Sequence, residues 1–422
     1  MRIKLISLII PLLASASLAG VLDRQPGIHF GGERMTLEPY LAVSFTYDSN
    51  TDMRKNGREG SQWVVNPGLG FKYKDDNWVV DATVWYKYHK YNNYYSQLDS
   101  SSYGEKIKWT WSNAVAGGRG FTIGFFEMFE QIAQDDNMSR IGGRGMNRDR
   151  KQFQADGYVQ RRFSERLHAM VVSDYYLLDY ENATDKYAWL YGWKRLQLGL
   201  QGGYTLTKWT DFLLTANYQW YWHDNDLDMS DPTTHSSRRG RIVRGDSKGW
   251  SVMTGIGTHM TEKLSYRILG GWSNFEYGDG ASSLDGWTYQ VSADWQVDAA
   301  NTWHIMALGS SYYQPSEREF GSALKVYNMS FGISKSLVRN KLRAAIDIAY
   351  RKETHEYTEY EIDNYDEDIW IARFSLDYRI NRLLSVYGRV EYQTEQSSGR
   401  YLYGGIYDYE RWRCTIGLRF TW

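Results

Sequence analysis

Polar and apolar residues alternate one by one over long stretches of this chain. In 383–396, Leu384, Val386, Gly388, Val390 and Tyr392 fall on one side, and Ser385, Tyr387, Arg389, Glu391 and Gln393 on the other. In 284–298, Trp287, Tyr289, Val291, Ala293, Trp295 and Val297 share a face opposite Thr288, Gln290, Ser292, Asp294 and Gln296. In 210–223 the apolar side is Phe212, Leu214, Ala216, Tyr218, Trp220 and Trp222. A period of two predicts strands with one face in an apolar medium and the other in water. Each apolar face covers the roughly nine to eleven residues with which a tilted strand crosses a bilayer. The pattern runs through the final ten residues, where Cys414, Ile416, Leu418, Phe420 and Trp422 alternate with Arg413, Thr415, Gly417, Arg419 and Thr421. A bare terminal strand is an aggregation hazard, which a closed barrel removes by pairing the last strand with the first.

Turn residues divide 36–422 into about eighteen such strands, from 36–50 to 408–422. The connections alternate in length. Short ones such as Asp75-Asp76, Ser164-Glu165-Arg166 and Asn381-Arg382 follow longer polar ones such as 134–149, 224–245 and 356–365. The predicted fold is therefore all-β: a transmembrane antiparallel up-and-down β-barrel with short periplasmic turns, long extracellular loops and both termini periplasmic. A soluble sandwich or propeller would favour strands of about five to six residues. Two places fit less well. Phe125-Phe126 and Met128-Phe129 break the alternation in 120–133 and predict a bulge. Pro67 lies inside a strand, where proline is disfavoured away from edges and bulges.

Residues 1–19 combine a basic start (Arg2, Lys4), an apolar run from Leu5 to Leu13 and a small-residue stretch ending at Ala19, the pattern of a secretory signal peptide. Residues 20–35 are then a short periplasmic segment and 36–422 the barrel. Removal of Arg2 and Lys4 leaves a modest acidic excess. A mean hydropathy of −0.59 excludes a helical membrane bundle. The chain has 35 Tyr and 18 Trp but only 6 Pro, which suits interfacial aromatic girdles. Its one cysteine, Cys414, excludes an internal disulfide framework and is read as a small hydrophobe on the lipid face.

A barrel of this strand number leaves room for an aqueous lumen. The inward faces near the C-terminus carry Arg343, Arg351, Arg373, Arg379 and Arg389, then Arg411, Arg413 and Arg419, interleaved with Asp347, Asp377 and Glu391. These are the candidate pore-lining residues, and two readings stand. They form a self-neutralising ladder, or a basic track for an anionic solute, since the arginine fork binds carboxylate and phosphate bidentately. Arg140, Arg144 and Arg148 lie in a glycine-rich connection that could fold inward as a constriction. Arg238, Arg239, Arg241 and Arg244 form an external basic cluster suited to lipopolysaccharide phosphates. Trp85, Tyr176, Tyr221 and Tyr387 are inward aromatics, serving as a slide for sugar rings or as girdle residues. The acidic stretch 353–368 has carboxylates that suit calcium but no EF-hand spacing, so no metal and no cofactor is assigned.

No HExxH, CxxC or phosphate-binding glycine loop is present, and the eight histidines form no triad motif, so no enzyme is read. Nucleic acid is not an expected partner. Leu37-Glu38-Pro39-Tyr40-Leu41, Tyr47-Asp48-Ser49-Asn50 and Val65-Asn66-Pro67-Gly68-Leu69 together resemble the start of the beta-barrel porin 2 family, with Ser49 in place of the usual second acid. Asp48 and Asn50 are read there as turn residues that bond their own backbone. Gly417, Phe420 and Trp422 resemble the C-terminal signal that outer-membrane barrels present to the barrel-assembly machinery. The resemblance implies a Gram-negative outer-membrane protein of exopolysaccharide assembly and export. The leading expectation is a channel passing a saccharide, an acidic exopolysaccharide in export. The alternatives are a general or solute-selective diffusion porin for uptake, and a structural or adhesive barrel with a filled lumen. Membrane lipid, lipopolysaccharide and a polysaccharide or small solute are the expected partners.

Overall fold

The structure, a computed structural model, describes residues 28–30, 34–51, 57–92, 99–113, 120–132, 149–181, 193–223, 246–261, 263–277, 282–298, 303–315, 322–338, 341–357, 365–398 and 408–422. Every regular element among them is a strand. A three-residue strand β1 (Ile28–Phe30) precedes β2 (Met35–Asp48), β3 (Gly60–Lys74), β4 (Trp78–Tyr91), β5 (Ser100–Ser112), β6 (Gly120–Ile132) and β7 (Asp149–Arg162). Then come β8 (Leu167–Glu181), β9 (Trp193–Thr207), β10 (Thr210–His223), β11 (Ser247–Thr261), β12 (Leu264–Tyr277) and β13 (Ser282–Gln296). The last six are β14 (Trp303–Pro315), β15 (Ser322–Val338), β16 (Leu342–Tyr357), β17 (Tyr365–Arg379), β18 (Leu384–Ser397) and β19 (Tyr409–Thr421). Each of β2–β19 pairs antiparallel with the next, and β19 returns to β2 from Arg413↔Asp48 to Thr421↔Tyr40. The result is a closed eighteen-stranded barrel. Trp422 N–H donates to the Pro39 carbonyl at 3.0 Å, extending the seam to the final residue. β1 pairs only with the start of β2, through Ile28↔Leu37 to Phe30↔Met35; it lies within the segment expected to have no strand.

Closure satisfies the backbone, and alternation decides which face meets lipid. The outward row Val171, Leu200, Ala216, Val252, Trp272 and Trp287 crosses six adjacent strands as successive ladder partners. Its large members are exposed, Trp287 at 72%. In water such a belt would drive aggregation; in a bilayer it is solvated. Strands of 13 to 17 residues, rising about 3.3 Å per residue at a tilt of about 40°, span the roughly 30 Å hydrocarbon layer. The chain is thus a membrane-spanning barrel of the outer-membrane class.

The two ends differ. At the short-turn end, polar side chains stop the strands. Asp75 Oδ1 accepts from Asn77 N and Trp78 N at 2.9 and 2.8 Å, and Tyr73 donates to Oδ2 at 2.7 Å. That hydroxyl and the two amides hold Asp75 below the usual carboxylate range. Asn381 Oδ1 likewise accepts from Leu383 N and Leu384 N, both at 2.9 Å. The register irregularities of the ladder, at Thr210/Asp211, His259/Thr261 and Ser336/Val338, all cluster at this end.

The bulge expected in 120–133 is not there. β6 pairs without a shift on both sides. Alternation fails for a different reason: Phe126 and Met128 point into the lumen, where they are buried, so both faces of the strand are apolar. Pro67 sits opposite Leu41 in the β2–β3 ladder, while the β3–β4 ladder skips from Val65↔Tyr88 to Gly68↔Trp85. The missing amide falls where that second ladder is interrupted.

Gly255 and Gly271 mark the closest approach of β11 and β12. A Cβ at either would lie 1.9 Å from a backbone carbonyl oxygen, that of Ile268 or Val252. Gly271→Ala is therefore expected to cost about 1–3 kcal/mol, since backbone cannot swing aside as a side chain does. An unchanged urea midpoint of the detergent-solubilised barrel would contradict this.

Candidate functional site

The inward residues of β16, β17, β18, β19 and β2 form a row of alternating charge across the closing seam. Asp347 stands opposite Arg373, Arg373 opposite Glu391, Glu391 opposite Arg413, and Arg413 opposite Asp48. Directly opposed side chains in an antiparallel pair are about 5 Å apart at Cβ, so alternation of sign turns every neighbour into a partner. Arg373 Nε lies 2.5 Å from Glu391 Oε2, and Arg413 Nε 3.4 Å from Asp48 Oδ2. One pleat toward the loops, Arg411 is 1% exposed and its Nε donates to both Asp48 oxygens at 2.8 Å. Arg351 similarly pairs with Glu353.

Asp48 had been expected only to close its own turn. It does accept from Asn50 N at 3.1 Å, but it also anchors the arginines of β19 across the seam. The inward parity of Ser44, Thr46 and Asp48 was the signal available for this.

The remaining candidates lie nearer the short-turn end and are accessible. Arg343, Arg379, Arg389 and Arg419 are exposed into the lumen, with Asp377 opposite Arg343. Arg343 Nη2 donates to Ser334 Oγ at 3.0 Å, and the Arg419 guanidinium rests 4.6 Å from the Tyr40 ring centroid. Neither Arg379 nor Arg389 has an ion pair among the described residues. On the facing arc of the barrel a cavity of about 630 Å³ opens at the same depth, lined by Gln160, Arg162, Asp211, Arg267 and Asp294 among others.

The loop half of the lumen is lined by buried side chains. Tyr176, Trp193, Tyr221 and Phe275 form an arc on the inner faces of β8, β9, β10 and β12, with successive ring centroids 4.7, 5.9 and 5.9 Å apart. All are at most 5% exposed. Pairing of β13 with β14 ends at Gln290↔Ser310, while β14 continues with β15 to Pro315↔Ala323. This free end turns inward: Gln219 Nε2 donates to the Tyr313 carbonyl and Tyr313 Oη to the Asp285 carbonyl, at 3.4 and 3.1 Å. Leu324, Val326 and Ile369 are buried beside it, apolar residues on a face expected to be wet. Tyr176 and Tyr221 are therefore packing residues, neither slide nor girdle. Trp85 and Tyr387 face inward and lie over glycines: a Cβ at Gly417 would meet Tyr387 Cζ at 2.3 Å, and one at Gly104 would meet Trp85 at 2.6 Å. Gly417 thus has a packing reason as well as its place in the terminal motif. Phe420 points outward, Trp422 is exposed, and their rings are 6.5 Å apart. Cys414 is exposed on the outer face. Arg140, Arg144 and Arg148, the basic cluster at 238–244 and residues 358–364 of the acidic stretch lie outside the described residues.

No protein-family model matches the sequence. No curated protein matches it either. Among solved structures, the chain is similar to OpdK of Pseudomonas aeruginosa, solved with vanillate, at 10% identity over 92% of this chain and 99% of that one, with a TM-score of 0.42. A mutant ferric enterobactin receptor of Pseudomonas aeruginosa gives 7% identity, 94% and 81% coverage and a TM-score of 0.44. A bacterial polysaccharide outer-membrane secretin gives 7% identity, 91% and 98% coverage and a TM-score of 0.35. At such identities and scores these likenesses do not bear on what this barrel carries.

Proposed function

We propose that the chain is an outer-membrane channel that passes an acidic saccharide, in the export of an exopolysaccharide, and that it belongs with the beta-barrel porin 2 family its N-terminal motifs resemble. The observation that carries the reading is the division of the inner wall into two electrostatic zones. In the seam row, carboxylates and arginines alternate, three acids with two arginines. At the short-turn mouth Arg343, Arg379, Arg389 and Arg419 are exposed, with Asp377 and Asp347 the acids of the candidate set beside them. Short turns face the periplasm in barrels of this class. A basic mouth there meets a polymer leaving the cell before it meets a nutrient entering, which favours export over uptake. Arginine forks would hold successive carboxylates without a deep pocket, so the chain of sugars could advance from one to the next. Lipopolysaccharide around the belt and the assembly machinery at the terminal strand are the partners proposed with it.

The test is block of ion current by oligo-uronates added from the short-turn side. Each exposed arginine contact is worth about 0.5–1 kcal/mol, so Arg389→Ala combined with Arg419→Ala should weaken block about fivefold to thirtyfold. Neutral oligosaccharides should be unaffected. Equal block by neutral and acidic sugars would favour a general diffusion porin instead. The burial of the loop half favours one second reading, a filled-lumen barrel whose loops bind a partner; absence of any current would support it.

A further inference from the structure

Near the loop end of β16 and β17, three buried side chains converge. Glu353 and Glu367 stand directly opposite each other, and His355 is the next inward residue along β16, opposite Tyr365. All three are buried, His355 and Glu367 completely. The imidazole stacks on the Tyr365 ring at 4.1 Å and 14° between planes, which fixes its orientation. His355 Nε2 lies 3.9 Å from Glu353 Oε2 and 3.8 Å from Glu367 Oε2, too far for hydrogen bonds. Neither ring nitrogen has a hydrogen-bond partner. A completely buried imidazole with both nitrogens orphaned is rare, because each lost bond costs about 1–3 kcal/mol.

We propose that Glu353, His355 and Glu367 bind a divalent first-row transition-metal ion of the Zn²⁺ or Mn²⁺ type. The three donor atoms lie within 4.8 Å of one another. Metal–nitrogen and metal–oxygen bonds of about 2.0–2.2 Å bring donors to about 3.2–4.4 Å from one another, so a small inward movement suffices. One imidazole with two carboxylates selects such an ion over Ca²⁺ or Mg²⁺, which take oxygen ligands. Arg351 occupies the other oxygen of Glu353, holding Oε2 toward the histidine. The ion would pin two neighbouring strands just below their loop and offset the facing carboxylates. The group comes together only through the β16–β17 register, which the acidic run, without EF-hand spacing, does not reveal.

The test uses the full protein extracted from outer membranes, stripped with chelator and dialysed against Zn²⁺ alone, with bound metal counted by mass spectrometry. One ion per chain at micromolar free Zn²⁺ is expected, with affinity falling tenfold to a hundredfold in His355→Gln and Glu367→Gln. Glu276→Gln, on the outer face, should bind as the parent does. Heat-modifiable gel migration reports whether each variant is folded. Should either fail to fold, the visible spectrum of Co²⁺ in the parent protein decides: intense low-symmetry bands of an imidazole-bound ion support the site, and a weak aqua-like spectrum overturns it. Binding weaker than about 100 μM, or stoichiometric binding unchanged in both variants, also overturns it.

Discussion

Replacing Asp48 with asparagine should cost the barrel about 3–5 kcal/mol. Arg411 is 1% exposed and donates to both oxygens of that carboxylate. Removing the carboxylate takes the ion pair away from a guanidinium that stays buried, which is the expensive case. The position magnifies the effect. β19 and β2 are joined only after the whole chain is in place, and the pair lies at the loop end of that joint. The loss should therefore appear as a lowered urea midpoint in detergent and as a barrel that opens at lower temperature on gels without boiling. Glu391→Gln should do less, because Arg373 and Arg413 on either side are both more exposed. An Asp48→Asn barrel with an unchanged midpoint would mean that the row is an ornament of the lumen and not part of its closure.

Replacing Trp193 and Phe275 together with alanine should both weaken the barrel and widen it. Trp193 is 4% exposed and Phe275 not at all. Truncating a buried aromatic costs about 3–5 kcal/mol, the sum being lower where the two share neighbours. Trp193 and Phe275 share Tyr221, so the pair is expected to be less than additive. The same deletion removes two of the four rings of the arc in the loop half of the lumen. Single-channel conductance of the double variant should rise several-fold over that of the parent. Conductance unchanged beside a lowered stability would place the limiting constriction elsewhere in the barrel.

The barrel itself was readable because a membrane imposes a strict period: the outward positions from Phe212 to Trp222, Trp287 to Trp295, Leu384 to Tyr392 and Trp412 to Phe420 are apolar or small at every second residue. The seam charges were readable to the same extent, since inward parity alone places Arg373, Glu391 and Arg413 on one face. What parity could not provide was height. Whether Arg413 meets Glu391 or solvent depends on the β18–β19 register, which follows from turn geometry and barrel stagger. The packing in the loop half was hidden for a related reason. Tyr176 and Tyr221 look like lining residues until the structure shows them packed with Trp193, Phe275 and Tyr313 of the inward-turned end of β14. The strand at 120–132 carried the signal: two apolar faces on one strand mean lipid outside and packing inside. Glu353, His355 and Glu367 were invisible as a group, because Glu353 and His355 stand fourteen and twelve positions from Glu367.

The most direct test of the account is the reversal potential of single channels formed by the protein extracted from outer membranes, in a salt gradient across a planar bilayer. A lumen whose short-turn mouth carries accessible arginines should conduct with preference for anions, and Arg389→Ala with Arg419→Ala should move the reversal potential toward zero. An open channel that prefers cations, or one whose selectivity those substitutions leave unchanged, would contradict the assignment of the arginine mouth as the selective element.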